Sequence, residues 1–211
     1  MGAGCCHDGC QSRTAASSRF RRVLWVALIV NAGMFAVETV AGLAARSSAL
    51  QADSLDFLGD AANYGVSLFV LGMSLRHRAR AAVLKGATMG AFGLWVSVNT
   101  MLHLINGTVP EAEMMGVVGI VALMANGAVA VMLYAFRDGD STMRSVWICA
   151  RNDAIGNIAV LAAASGVFAT GSGWPDVTVA GIVAALALSG AFQVLRHARS
   201  ELRGEDRAHA L

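Results

Sequence analysis

Proline is nearly absent, with 2 residues in 211, and charge is sparse, at 14% Asp, Glu, Lys and Arg. Rare proline removes the commonest interruption of a long helix. Typical soluble domains carry about 25% charged residues, and here the apolar residues that replace them fall in long blocks, which excludes an ordinary soluble domain. A net charge of only +2 removes the bulk electrostatic case for nucleic-acid binding. Short alternating segments, the signature of a membrane β-barrel, do not dominate. Cysteine is also scarce: of 4 residues, three crowd into Cys5-Cys6-His7-Asp8-Gly9-Cys10, leaving Cys149 alone, so no disulfide framework is expected. Met1 to Ser18 is polar, and the apolar stretch that begins near Phe20 is too long for the core of a signal peptide.

What remains is apolar. The chain is 56% hydrophobic with 23 glycines and a mean hydropathy of +0.58, a balance that suits long helices packed through small residues. A membrane span needs roughly 20 mainly apolar residues. The expected spans are Val23–Ala44, Leu55–Met73, Gly86–Ile105, Met115–Phe136, Val146–Ala169 and Val177–Leu195. The expected fold is therefore an all-α integral membrane protein with six transmembrane helices. Residues 1–19 form a flexible Cys- and His-containing tail, 20–195 the transmembrane domain, and 196–211 a short charged tail.

Basic residues orient such a bundle, because they collect on the cytoplasmic side. One side holds Arg13, Arg19, Arg21, Arg22, Arg76, Arg78, Arg80, Lys85, Arg137, Arg144, Arg196, Arg199, Arg203 and Arg207. The other keeps only Arg46, beside Glu111, Glu113 and Asp176, while Arg151 falls inside the fifth span. Both termini are expected in the cytoplasm.

Against this background, acids inside the spans stand out. Asp56 and Asp60 are four residues apart and share one helix face. An Asp at the bilayer centre costs at least about 2.5–3.5 kcal/mol on insertion scales, so two together need a reason. A cation held between them is one. Cys149 and Asp153 repeat the spacing in the fifth span, and two such pairs can supply four ligands. Carboxylate oxygen and thiolate sulfur both suit tetrahedral Zn²⁺, and the thiolate tilts preference toward Zn²⁺, Cd²⁺, Co²⁺ or Ni²⁺ over Mg²⁺ or Ca²⁺. Ligands must shed protons to bind metal, so a site opening to each face in turn exchanges metal for protons.

Alternatives stay open at this level. Arg151 competes for Asp153, although residues two apart on a helix point different ways. Cys149 is either a ligand or a small buried hydrophobe. Glu38 is a ligand, a proton carrier or an interhelical hydrogen-bonding group. Asn31, Asn99 and Asn126 are read as interhelical glue, and His103 as structural. The cluster Cys5, Cys6, His7 and Cys10 is either a metal-capturing tail or a disordered terminus with reactive thiols.

These residues resemble the cation diffusion facilitator family of divalent-metal/proton antiporters. The resemblance runs through Asn31, Glu38 and Gly42, the stretch Ser47 to Ser54, and the Asp56–Asp60 pair. In the fifth span the family usually has His-x-x-x-Asp and a small step; here the run is Cys149-Ala150-Arg151-Asn152-Asp153-Ala154-Ile155-Gly156-Asn157. Trp174-Pro175-Asp176 leads into the last span. The order and spacing of these fragments make the match specific. Cys149 stands where the family usually places His. The family's cytoplasmic C-terminal domain and its His-rich loop are missing, the loop reduced to Arg137-Asp138-Gly139-Asp140-Ser141-Thr142, so the chain reads as a minimal, membrane-only member.

The resemblance implies a bacterial inner-membrane exporter, homodimeric, with both termini inside. It would move Zn²⁺-like cations, zinc above all, by proton-coupled alternating access. Asp56, Asp60, Cys149 and Asp153 would bind the metal. Asp53, Asn157 and Glu38 would support or gate the site. The expected partners are metal cations, protons and the lipid bilayer, with no nucleic acid and no prosthetic group. A non-transporting metal-binding membrane protein, a sensor or an accessory subunit of an exporter, is the alternative. Enzymatic activity is not expected, because four protein ligands leave a tetrahedral ion no open position to activate water.

Overall fold

The computed structural model describes the backbone over residues 7–69, 75–138 and 141–208, and side chains over 18–68, 80–138, 147, 150–196 and 198. Among these residues all regular structure is helical: α1 (His7–Ala44), α2 (Ser48–Phe69), α3 (Leu75–Asn106), α4 (Ala112–Tyr134), α5 (Ser141–Thr170) and α6 (Trp174–Ala208). Burial follows the helical period. In α4 the buried positions are Met115, Gly119, Ala122, Asn126, Val129 and Leu133, in steps of four and three. In α1 they are Leu24, Ala27, Asn31, Met34, Glu38 and Gly42.

The outer face is apolar, and polar side chains share the interior with an apolar core. Val40, Val131, Phe168 and Phe192 point outward, Phe168 at 84% exposure, whereas Asn31, Glu38, Gln51, Asp53, Asn126 and Asn157 are all buried. Such a molecule is stable where its surroundings are apolar, and helices suit that setting because they satisfy their own backbone groups. Five helices carry stretches long and apolar enough to cross a membrane: Ser18–Ala44, Arg80–Asn106, Ala112–Tyr134, Ala150–Thr170 and Trp174–Arg196.

The second helix departs from the expectation of six apolar spans. With 22 residues it is about 33 Å long, enough to cross a hydrocarbon core of about 30 Å. Asp53, Asp56 and Asp60, however, keep it out of the apolar class. It is the central helix, packed against α1, α3, α5 and α6. It also begins at Ser48 rather than Leu55, so the polar run Ser48–Ser54 is buried helix rather than the approach to one; positions 70–73 of the expected span lie outside the described residues.

Two devices build that early start. A Schellman turn ends α1: the Ser47 amide donates to Gly42 O at 2.9 Å and the Arg46 amide to Leu43 O at 3.3 Å. Arg46 takes the left-handed conformation usually given to glycine, φ 52°. Ser47 Oγ then accepts from the Leu50 amide at 3.1 Å, and Asp176 at the start of α6 accepts from the Ser48 and Ala49 amides at 2.8 and 3.0 Å. A carboxylate at a helix N-terminus satisfies the free amides and complements the dipole.

The same end gathers the other two tight turns. Glu111 donates its amide to Ala45 O at 3.0 Å, and a Cβ on Gly173 would collide with Thr108 O. The α1–α2, α3–α4 and α5–α6 turns therefore meet at one end of the bundle. Elsewhere α3 and α6 close tightly through small residues: a Cβ on Gly86 would lie 2.9 Å from Leu195 Cγ, and one on Gly93 3.1 Å from Leu188 Cδ2.

Candidate metal-binding site

Asp53, Asp56 and Asp60 recur at three and four residues, so α2 turns all three toward one side. Asp53 and Asp60 are buried and Asp56 is partly exposed. From α5, Asp153 enters the same space. Its carboxyl group lies within hydrogen-bonding reach of Asp60 and within electrostatic range of Asp56. Tyr64, one turn beyond Asp60, donates its hydroxyl to Asp60 Oδ2 at 2.7 Å. Lys85 of α3 donates to Asn63 Oδ1, and its ammonium also acts on Asp60. Arg151 does not compete for Asp153. It is exposed, donates to Asn152 Oδ1 at 3.2 Å, and lies over the Trp147 ring.

A second layer stands one turn away. Asn157 Nδ2 donates to Asp53 Oδ2 at 2.6 Å, and Asn126 Nδ2 donates to Asn157 Oδ1 at 2.9 Å. On the far side of Asp53, Glu38 of α1 presents its carboxyl group. The row Asn126–Asn157–Asp53–Glu38 thus runs through α4, α5, α2 and α1, all fully interior.

The glue residues divide. Asn99 bridges helices, donating to Gln51 Oε1 at 2.6 Å, and Asn126 does so through Asn157. Asn31 does not: its amide donates to Ala27 O of its own helix at 2.8 Å. His103 is structural, its Nδ1 2.8 Å from Ser48 Oγ.

Of the expected ligands, then, Asp56, Asp60 and Asp153 come together, and Asp53, Asn157 and Glu38 adjoin them. Cys149 lies one turn before Asp153 on α5, but its side chain is outside the described residues, as are those of Cys5, Cys6, His7 and Cys10. Among the described residues no three His, Cys, Asp or Glu side chains converge tightly enough to hold a metal ion. The described half of the candidate site is a facing carboxylate pair, Asp60 and Asp153, with Asp56 a turn along. Facing acids inside an apolar bundle create a strong demand for positive charge. Sequence reasoning missed Tyr64 and Lys85 as neighbours of these acids. Tyr64 had a signal, its i+4 spacing from Asp60, whereas Lys85 reaches α2 from a separate helix.

The family model described as the cation efflux transmembrane domain matches residues 24–203, which include Asp56, Asp60 and Asp153. A cadmium, cobalt and zinc/H(+)-K(+) antiporter of Bacillus subtilis (strain 168) is 23% identical over 190 residues, 83% of this chain and 61% of that protein's length. With its acids drawn to the centre of an apolar helical bundle, the chain belongs to the cation diffusion facilitator family, through its cation efflux transmembrane domain.

Proposed function

We propose that the protein exports divalent metal cations of the Zn²⁺ class (zinc, cadmium, cobalt or nickel), with Asp56, Asp60, Cys149 and Asp153 as the ligands of the transported ion. The observation that carries this reading is the meeting of Asp60 and Asp153, from two different helices, inside a bundle whose outer face is apolar. Ligands from two helices can be opened to one face and then the other by relative tilting, which a site within one helix cannot do. The printed name of the Bacillus subtilis relative gives cadmium, cobalt and zinc as its cargo and protons as a counter-ion, and the chemistry of the ligands fits both. Carboxylates and a thiolate bind such ions only when deprotonated, so protons compete with metal at the same atoms.

In the same reading α2 completes a six-span bundle with both chain ends in the cytoplasm of a bacterial inner membrane. A homodimer is the working unit, and Cys5, Cys6, His7 and Cys10 collect metal at the inner mouth. The test is flux. Purified protein in liposomes should move Zn²⁺ or Cd²⁺ when a pH gradient is applied. Stoichiometric metal binding with no movement would favour a non-transporting metal-binding protein and overturn export.

A further inference from the structure

Glu38 lies six residues before the end of α1 at 0% exposure, and neither of its carboxyl oxygens meets a hydrogen-bond donor among the described residues. It is aimed at Asp53, itself 2% exposed, whose Oδ2 is already held by Asn157 at 2.6 Å. The charged groups that act on this pair are acidic: Asp56 of α2 and Asp153 of α5. From α4 the row is joined by the neutral Asn126. The polar groups of α3 and α6 are engaged elsewhere: Lys85 with Asn63 and Asp60, Asn99 with Gln51, and Asp176 with the start of α2.

A buried carboxylate without a donor is expensive, and two that face each other in low dielectric add repulsion. One proton removes both costs. An O–H bond forms on one carboxylate and donates to the other, no electrons are transferred, and the pair falls from a charge of −2 to −1. Two carboxylates without sulfur or nitrogen are a poor site for the cargo ions.

We propose that Glu38 and Asp53 share one proton in a site distinct from the metal ligands, and that the pair holds it while those ligands are filled. That the neighbouring acids bind metal rests on the export reading above. The geometry links the two sites: Asp53 is three residues from Asp56 on α2, and its partner Asn157 is four residues from Asp153 on α5. Proton loss leaves facing charges that drive α1 from α2 and disturb both helices that bear metal ligands.

Infrared spectra of the whole chain, saturated with Cd²⁺, test the site. A protonated-carboxyl C=O band is expected to persist with the metal ligands filled, to shift slowly in D₂O, and to be absent from both Glu38→Gln and Asp53→Asn. Glu38→Asp, which keeps the acid, should retain it. No such band in the metal-saturated wild type, or its survival in both amide variants, overturns the site. A wild type that moves no metal in the flux assay overturns export, while the infrared arm still decides whether the proton is there.

Discussion

Asn157 and Asp53 are joined across the bundle by a 2.6 Å bond from amide nitrogen to carboxylate oxygen, with both side chains buried. It ties α2 to α5, the two helices that bear the candidate metal ligands. Asn126 holds the far side of the same amide at 2.9 Å, so the orientation of Asn157 is set from two directions. The relative position of the acids therefore depends on a residue that touches no metal.

Replacing Asn157 with Leu should strand a buried acid. Hydrogen bonds to charged groups contribute about 1.5–3 kcal/mol, while polar contacts within membranes average nearer 0.6 kcal/mol. A loss of about 1–2 kcal/mol is expected, read as a lowered unfolding temperature in detergent. Metal affinity should fall with it.

Asp176→Ala should destabilise the chain by about 2 kcal/mol, since it removes the cap of α2 and leaves buried amides of Ser48 and Ala49 without an acceptor. Asp176→Asn, which retains one oxygen, should lose less. Thermal unfolding of the two variants beside wild type checks the order.

Gly42→Ala would set a Cβ 2.9 Å from Gln51 Cγ and 3.0 Å from the Gln51 backbone nitrogen. Backbone cannot swing aside as a side-chain tip can, so α1 must move from α2, at about 1–3 kcal/mol. An equal substitution at Gly33, where nothing lies within 4 Å, should be close to neutral or slightly stabilising. The pair is compared by denaturation in one detergent.

Asp60→Ala and Asp153→Asn should each abolish metal resistance in cells that produce folded protein, because each removes one half of the facing pair. Cys149→His should change the ranking of ions, moving preference from Cd²⁺ toward Zn²⁺, as sulfur is exchanged for imidazole nitrogen. Competition between the two ions in a flux assay measures it. Retained resistance in Asp60→Ala would refute the site.

Metal affinity should rise with pH. The ligands bind metal only after losing protons, so titrations of Cd²⁺ at successive pH values should give weaker binding at the acidic end. In buffers of different ionisation heat, calorimetry should record proton release on binding.

Composition and spacing alone determined that this chain is helical and suited to a membrane, and that Asp56, Asp60 and Asp153 are out of place in lipid. Hydropathy and helical period are local properties, written in residues that are neighbours or one turn apart. Even the central role of α2 has a local trace, since its three acids are what keep it from reading as an ordinary span. Which acids meet was beyond the reach of spacing. That Asp60 faces Asp153, that Arg151 turns outward to Trp147, and that Glu38 ends against Asp53 depend on how α1, α2 and α5 rotate against one another. The start of α2 at Ser48 was equally hidden, because its cap, Asp176, lies 128 positions away in the chain. Only packing brings such residues together, since burial of apolar stripes fixes the rotation of every helix at once and the polar groups meet where those rotations leave them.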